Sequence, residues 1–312
     1  MIITHKTEES QDGRILLGVL RREMKLSASL VRRLKQSSAI TVNGESVYTN
    51  YVLKAGDEIS ADITAVEPAS DLVPENGDIE VLFENSGLLA VNKLCGMLVH
   101  PSRAKYTGTL SNLAAGYLMK STGNGCCHAV NRLDRDTSGV VLFAKNAHYK
   151  DLASRALKDG SAVKEYLAVV CGTFEEHSGI IDLPIKRARE GDMLRVVSPD
   201  GQSAVTKYET LSTHEYPFGT VSYLRLRLLT GRTHQIRVHC TAMGHPLLGD
   251  VLYNDEASRA ISEKLGFSAQ ALHASYLSFR DPVSGKLLDI VAPINRTDMA
   301  NISSDFGFLG LT

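Results

Sequence analysis

The sequence predicts an α+β fold with a mostly antiparallel sheet, preceded by a small basic unit. Short apolar runs rich in β-branched residues are interspersed with amphipathic helical stretches, without the regular spacing of βαβ units. A cluster of basic residues near the start sets the small unit apart from the rest. With 312 residues, 43% of them hydrophobic, the chain is long enough for one large domain and one small one.

Residues 14–35, RILLGVLRREMKLSASLVRRLK, predict two short amphipathic helices, with Ser27 or Ser29 as an N-cap between them. The segment carries seven basic residues and one acidic residue. Such a face either grips an RNA backbone or is only solvated, and the segment alone favours neither reading. The candidate RNA contacts are Arg21, Arg22, Lys25, Arg32, Arg33 and Lys35.

Two further segments give the domain boundaries. The stretch after the helices reads as short strands around an Asn43-Gly44 hairpin, which completes a unit spanning residues 1–63. Residues 64–76, TAVEPASDLVPEN, hold two prolines and little periodicity, so we expect a linker there. The larger domain is then expected to span residues 77–312.

The larger domain is predicted to mix strands and helices. The apolar run 140–144 has the length of a buried strand, and residues 163–172 and 222–229 alternate as half-buried strands do. Two more strands are predicted in residues 79–93, on either side of a turn. Helices are predicted for residues 110–119, 147–157 and 233–243.

Composition and missing motifs exclude several classes of protein. The net charge of −1 does not indicate a nucleic-acid binder, so such a role must come from the distribution of charge. Five cysteines without a CxxC pair argue against a disulfide framework and a structural zinc site. No HExxH, P-loop or GxGxxG motif occurs. No apolar leader or membrane-length run is present, so we expect a cytoplasmic protein without a membrane partner.

The stretch NRLDRDTSGVVLFAKN, residues 131–146, places four charged residues directly before the buried strand. A solvated turn explains such a loop, and so does an active-site loop, because rigid elements position functional residues on the loops they bound. The sequence of the loop alone does not decide between the two. The four residues are Arg132, Asp134, Arg135 and Asp136.

A second polar concentration lies in LLTGRTHQIRVHCTAMGHPLLGD, residues 228–250. Arg232, Gln235 and Arg237 fall near a predicted helix N-terminus, where backbone donors and guanidinium groups suit a phosphate or a carboxylate. The nearby histidines and cysteine raise a zinc hypothesis, but their spacing does not repeat on one helical face. These residues are His234, His239, Cys240 and His245.

Three motifs together resemble the RluA family of pseudouridine synthases. NRLDRDTSG resembles the H-R-L-D-x-x-T-S-G signature, VKEYLAVVCG resembles the K-x-Y-x-A-x-V-x-G strand, and GRTHQIRVH matches the family's G-R-T-H-Q-I-R-x-H element. Weaker matches are LLAVNKLCGMLVHPS, GQSAVTKYE and LHASYLSF. The basic N-terminal unit is similar to the S-four-like RNA-binding domain of many members. The resemblance spans residues 13–293 in the family's order.

The resemblance implies an α+β catalytic domain with a long mixed or antiparallel sheet split by a cleft. It also implies isomerisation of a uridine within RNA, with no metal or organic cofactor. By the matched motif positions, Asp134 is the catalytic aspartate and Tyr166 stacks on the target base and is implicated in removing the carbon-5 proton. Arg237 is the basic partner of the aspartate. Candidate substrate contacts are Arg132, Arg135, Lys164, Arg232 and Gln235.

The expected partner is RNA, with large-subunit ribosomal RNA favoured, transfer RNA as the alternative, and the protein as a monomer. Asn131 replaces the signature histidine, and Leu94 with Cys95 replaces the proline and small residue of K-P-x-G. We expect little loss from Asn131, and Cys95 is either a thiol near the site or inert packing. The rival hypotheses are a non-catalytic RNA-binding or ribosome-assembly protein and a zinc deaminase, whose P-C-x-x-C motif is absent.

Overall fold

A four-stranded antiparallel sheet and two helices form the N-terminal part of the chain. The computed structural model describes residues 1–67, 72–102, 105–294 and 299. The first sheet has the order β1-β4-β2-β3. Its elements are β1 (Ile2–Lys6), α1 (Leu16–Arg22), α2 (Ala28–Gln36), β2 (Ile40–Val42), β3 (Glu45–Ser46) and β4 (Glu58–Asp62).

The predicted local signals of this part are confirmed. The Ser27 hydroxyl accepts a hydrogen bond from the Leu30 amide at 3.2 Å, which caps α2. Asn43 and Gly44 both have positive φ, as a two-residue hairpin turn of this kind requires. The inner faces of α1 and α2 pack against the sheet in one core, whose buried residues all lie between positions 16 and 66. Strand β1 was not predicted.

A second, ten-stranded sheet contains the rest of the described strands except a two-stranded ribbon. Its main path is β10-β13-β14-β9-β15-β8-β6-β5, with β16 paired to β15 and β7 paired to β8. The strands are β5 (Glu80–Glu84), β6 (Leu88–Lys93), β7 (His128–Ala129), β8 (Ser138–Ala144), β9 (Val163–Cys171), β10 (Ser178–Asp182), the ribbon β11 (Ile185–Arg187) and β12 (Arg195–Val197), β13 (Val205–Tyr216), β14 (Gly219–Leu228), β15 (Leu272–Arg280) and β16 (Leu287–Val291).

The pairing is antiparallel throughout this sheet except between β8 and β15, so the predicted mostly antiparallel α+β class is confirmed. Gly139 lies at this parallel contact. Its φ is +109°, and a Cβ there would lie 2.2 Å from the Ala274 carbonyl oxygen. Only glycine therefore allows β8 and β15 to approach this closely.

Four helices flank the large sheet: α3 (Leu110–Thr122), α4 (Ala147–Ala156), α5 (Gln235–Ala242) and α6 (Glu256–Lys264). The first three were predicted, and α6 was not. Helix α5 begins two residues later than predicted because His234 adopts a left-handed conformation with φ of 58°. No helix in the described part of the chain has the length and apolar character to cross a membrane.

The predicted linker is partly described. Residues 64–66 form a 3-10 turn whose Val66 is buried in the small core, and residues 68–71 lie outside the described part of the chain. Glu67 contacts the larger part, since one carboxylate oxygen accepts hydrogen bonds from His128 and the Ala147 amide, both at 2.9 Å. The division into residues 1–63, 64–76 and 77–312 stays a prediction.

Candidate active site

The loop that carries Asp134 connects β7 to β8 and is anchored along its length. The Asn131 side chain donates to the Val140 carbonyl at 3.2 Å and accepts from the Leu142 amide at 2.7 Å. Asn131 is thus tied to β8 by its short amide, which gives a physical reason to expect little loss from the missing histidine. The Thr137 amide closes a turn on the Asp134 carbonyl at 3.2 Å.

The T-S-G residues of the signature hold this loop against the start of β15. Thr137 Oγ1 accepts a hydrogen bond from Gln270 at 3.0 Å. Ser138 Oγ lies 2.9 Å from His273 Nδ1, in a buried pair. With Gly139 packed on Ala274, three consecutive residues dock on one short segment, so the position of Asp134 is fixed by the centre of the sheet.

Lys93 also contacts this loop, at the Arg135 carbonyl, and the sequence analysis assigned no role to it. It is fully buried, and its Nζ donates to the carbonyls of Leu94, Met97 and Arg135 at 2.7 to 2.9 Å. Burial lowers the pKa of Lys93 to about 8, although the charges of Cys95, Asp136 and Asp134 partly oppose this. The sequence feature that could have indicated a buried lysine here is the position of Lys93 directly after the stretch LLAVN.

Arg237, from α5, joins two carboxylates. Its Nη1 donates to Asp134 Oδ2 at 3.0 Å, while Nε and Nη2 donate to the two oxygens of Asp250 at 2.6 and 2.8 Å. The Asp250 side chain has no exposed surface, and that of Asp134 is 28% exposed. The guanidinium is therefore oriented by the buried carboxylate and presented to the accessible one. The predicted pairing of Arg237 with Asp134 is seen in the structure.

Electrostatics keep Arg237 charged in this buried place. Burial alone would lower the pKa of its guanidinium, but the hydrogen bonds and charges of Asp250 and Asp134 raise it overall. The guanidinium carbon also lies 4.9 Å from the centroid of the Tyr253 ring. The sequence analysis did not identify Asp250. The feature that could have indicated its role is a single acidic residue at the end of the stretch HPLLGD.

His234 lies beside the same aspartate. Its Nε2 is 3.7 Å from Asp134 Oδ2, and its Nδ1 is 2.8 Å from the Tyr253 hydroxyl. Burial lowers the pKa of His234, and the opposing charge of Asp134 offsets this only in part. The imidazole is therefore mainly neutral near pH 7, and Arg237 is the principal positive charge next to Asp134.

Tyr166 lies on β9 and packs with the apolar core beside α5. Burial raises the pKa of its hydroxyl, and the negative charge of Asp134 raises it further. Tyr166 thus packs against the helix that carries Arg237, the hydrogen-bond partner of Asp134. Because its pKa is raised, Tyr166 carries its proton at neutral pH and offers an apolar ring with a neutral hydroxyl.

Three of the predicted substrate contacts lie around this centre with different partners. Arg132 and Arg135 are exposed on the loop, and Arg135 forms a two-point ion pair with Asp136 at 2.9 Å. Lys164 is half-buried, and its Nζ donates to the Leu157 carbonyl at the end of α4 at 2.6 Å. Their contacts with substrate stay predictions.

Gln235 and Arg232 have clearer structural roles. The Gln235 side chain accepts from Thr230 and the Arg232 amide and donates to Val205 and Thr206, at 2.9 to 3.0 Å. All four of its hydrogen-bonding positions are used and the residue is 2% exposed, so the structure argues against Gln235 as a substrate ligand. Arg232 is exposed and donates through Nε to the Ser203 carbonyl at 3.0 Å.

The six predicted RNA contacts of the small unit lie on or directly after α1 and α2. Five of them are exposed, and Arg33 is half-buried. Their exposure agrees with a role in RNA binding and equally with a solvated face. The exposed five are Arg21, Arg22, Lys25, Arg32 and Lys35.

The histidines and cysteine near α5 do not gather as metal ligands. His239 bonds to Thr206 and to the Leu183 carbonyl, both at 2.9 Å. Among the described residues, one group of three has metal-ligand geometry, and it lies elsewhere. That group is a hydrogen-bonded trio of Glu67, Cys126 and His128, which the sequence did not reveal.

Cys95, the other departure from the family pattern, lies close to the catalytic loop. Its thiol donates to the Asp136 carbonyl at 3.2 Å, and the residue is half-buried. The thiol thus replaces none of the charged groups of the site and adds one more tie between the Lys93 loop and the Asp134 loop.

The site combines a carboxylate hydrogen-bonded to a buried arginine with a nearby tyrosine strand on a long mixed sheet, as the resemblance to RNA pseudouridine synthases implied. The family model described as RNA pseudouridylate synthase matches residues 87–242. The chain belongs to the RluA family of RNA pseudouridine synthases. It is therefore an isomerase that acts on RNA, as the motifs predicted.

Individual relatives agree with this assignment. The chain is 37% identical over 295 residues to a Bacillus subtilis (strain 168) protein named uncharacterized RNA pseudouridine synthase YhcT, and 94% of each chain is covered. It is 35% identical to the ribosomal large subunit pseudouridine synthase D of Zymomonas mobilis, covering 85% of this chain and 87% of the relative. The solved structure of human RNA pseudouridylate synthase domain containing 1 has a TM-score of 0.57 at 27% identity, covering 73% and 86%.

Proposed function

We propose that this enzyme converts specific uridines of large-subunit ribosomal RNA to pseudouridine, with Asp134 as its catalytic carboxylate. The observation that carries the proposal is the chain of contacts from Asp250 through Arg237 to Asp134. It places an accessible carboxylate beside a fixed guanidinium. No other charged group in the described part of the chain has this combination of a buried orienting partner and an accessible oxygen.

The reaction rearranges one nucleoside without any net oxidation or hydrolysis. The bond between the ribose and uracil N1 breaks, the base turns, and carbon 5 bonds to the ribose; the proton on carbon 5 leaves and N1 gains a proton. Asp134 acts at the ribose, as nucleophile or as base, and Arg237 orients its carboxylate through the hydrogen bond from Nη1. Tyr166 provides the ring on which the displaced base stacks, and the family resemblance implicates it in removal of the carbon-5 proton.

Ribosomal RNA is proposed as the substrate on two grounds. Several relatives over most of the chain are named ribosomal large subunit pseudouridine synthase D. The exposed basic residues on α1 and α2 give the small unit the charge needed to hold a structured RNA. Transfer RNA is the alternative substrate. We propose that the enzyme acts in the cytoplasm as a monomer.

The test is pseudouridine mapping of total RNA from a strain that lacks the protein, before and after incubation with purified enzyme. Loss of one or a few sites in large-subunit ribosomal RNA, and their return with the enzyme, is the expected result. If the sites that are lost lie in transfer RNA, then transfer RNA is the substrate and the proposed reaction is unchanged. If no site in any RNA depends on the protein, the proposed function is wrong and the non-catalytic RNA-binding hypothesis takes its place.

A further inference from the structure

A polar groove lies where the small unit meets the larger one, away from Asp134. It has a volume of about 430 Å³ and runs between α2 and α4. Its two sides offer hydroxyl and basic side chains, and one carboxylate, Asp151, lines it as well. From α2 it is lined by Ser27, Ser29 and Arg33, and from α4 by His148, Lys150 and Ser154.

Two buried nitrogens of this groove are without a partner. Arg33 Nε and His148 Nδ1 have almost no accessible surface and make no hydrogen bond to any residue of the described chain. His148 is 5% exposed as a residue. A buried donor without an acceptor costs about 1–3 kcal/mol. Arg33 Nε is such a donor, and His148 Nδ1 is one in the tautomer that carries its proton there, so an acceptor that enters the groove would reduce this cost.

The charge of the groove indicates the kind of acceptor. Asp151 pairs with Arg155 at 2.5 Å, which neutralises both on the rim. Neither Arg33 nor Lys150 forms an ion pair within the described residues, so the groove keeps two positive charges. Ser27 is also the N-cap of the nine-residue helix α2, which points the positive end of its dipole toward the groove.

We infer that this groove binds a phosphate of the RNA backbone, so that substrate RNA is held by both parts of the protein at once. The inference rests on the proposed function for its choice of RNA as the occupant. A phosphate oxygen accepts from a guanidinium, an ammonium and a hydroxyl, and Arg33, Lys150 and the serines of the groove supply these three kinds of donor. Binding there fixes α2 against α4 and sets the register of the RNA relative to Asp134.

The experiment compares Arg33→Gln/Lys150→Gln with a control, Lys158→Gln/Arg259→Gln, that removes the same two charges from exposed positions outside the groove. Affinity for a substrate RNA is measured against salt, and pseudouridine formation is measured on the same samples at saturating RNA. Thermal unfolding checks that both variants are folded. Arg33→Lys keeps the charge but loses the guanidinium geometry.

We expect the groove variant to bind at least 10-fold more weakly and its slope of log affinity against log salt to fall by about 0.7 to 0.9, the value for one lost phosphate contact. Turnover at saturation stays within about twofold, and the control changes affinity less than threefold. Arg33→Lys keeps the salt slope and loses a few-fold in affinity.

Equal affinity and salt slope in the groove variant and the control would overturn the groove as a phosphate site, even with normal turnover. If the wild-type protein forms no pseudouridine, but the groove variant still has the expected smaller salt slope than the wild type, the proposed function is wrong and the groove is still a phosphate site. The two failures are therefore distinct.

Discussion

At the scale of single residues, the site depends on how Arg237 is held. A guanidinium donates in a fixed plane, and the buried Asp250 uses two of its three nitrogens, so the third points at Asp134 with little freedom. Asp250 also accepts from the amides of Leu252 and Tyr253, at 2.9 and 3.0 Å, which fixes the carboxylate itself. Asp250 is a positioning residue that acts through Arg237.

Asp250→Asn is expected to lower kcat about 10- to 100-fold with KM nearly unchanged. The amide keeps the size of the side chain but removes the charge and one acceptor, so Arg237 no longer holds Asp134 in its reactive position. Steady-state kinetics on substrate RNA measures the split. The matched control is Asp78→Asn, at an exposed position, which should behave as wild type. An Asp250→Asn enzyme with normal kcat would contradict the positioning role.

Lys93 predicts an alkaline limit to activity. Its pKa is about 8, so above that pH the neutral amine has two hydrogens for three carbonyls, and the hydrogen bond to Arg135 in the Asp134 loop then competes with those to Leu94 and Met97. We expect kcat to fall as pH rises through about 8. The Lys93→Met variant is expected to have a lower kcat than wild type at neutral pH but no further decrease in kcat above pH 8. A kcat that is constant to pH 9.5, or an alkaline decrease in kcat that persists in Lys93→Met, would contradict the prediction.

Sequence motifs located the centre of the site but not its supports. Asp134, Tyr166 and Arg237 each sit in a motif, and the structure brings them together. Asp250 and Lys93 were missed because their partners are 13 and 42 residues away, and only the tertiary fold creates the contacts. The role of Gln235 stays a prediction that its four internal hydrogen bonds argue against, because a polar residue at a helix N-terminus can bind a backbone loop instead of a ligand.

At the scale of elements, the parallel contact between β8 and β15 organises the catalytic loop. The T-S-G residues bind the start of β15, and glycine is needed where the two strands come closest. Three of the four helices beside the large sheet and five of its strands followed from local sequence patterns. This parallel pair joins residues more than 130 positions apart, so periodicity alone had no means of predicting it.

Gly139→Ala is expected to destabilise the protein by at least about 3 kcal/mol, because it adds left-handed backbone strain to a clash with the Ala274 backbone. Chemical denaturation measures the loss. The control is Gly160→Ala, which also has positive φ but nothing within 4 Å of the new Cβ, and should cost about 1–2 kcal/mol. Equal losses in the two variants would show that the close approach of β8 and β15 is unimportant.

At the scale of the whole molecule, Glu67 joins the small unit to the larger one. Burial alone would raise the pKa of Glu67, but hydrogen bonds from His128, the Ala147 amide and Cys126 outweigh it and lower the pKa below the ordinary carboxyl value. Burial and the charge of Glu67 together raise the pKa of the Cys126 thiol to about 12, so the thiol stays a donor. The junction is thus held by a carboxylate that must be ionised.

Glu67→Gln is expected to lower the free energy of unfolding by about 1–3 kcal/mol near pH 7, the value of hydrogen bonds to a charged group. Because the folded pKa is lowered, this contribution is complete above the ordinary carboxyl pKa and is lost as pH falls through the folded value. Thermal unfolding from pH 7 to pH 3 should therefore show the two proteins converging in acid. A difference that is constant with pH would contradict an ionised Glu67.

The central claim is that the Asp134 carboxylate performs the chemistry while other groups hold the RNA. The most direct measurement is single-turnover pseudouridine formation by Asp134→Asn at saturating substrate RNA, with affinity measured in parallel. We predict that product formation falls below detection and that affinity stays within a few-fold of wild type, because the change removes charge at the reacting centre and not the phosphate contacts. An Asp134→Asn enzyme that still forms pseudouridine at a substantial rate would contradict the account.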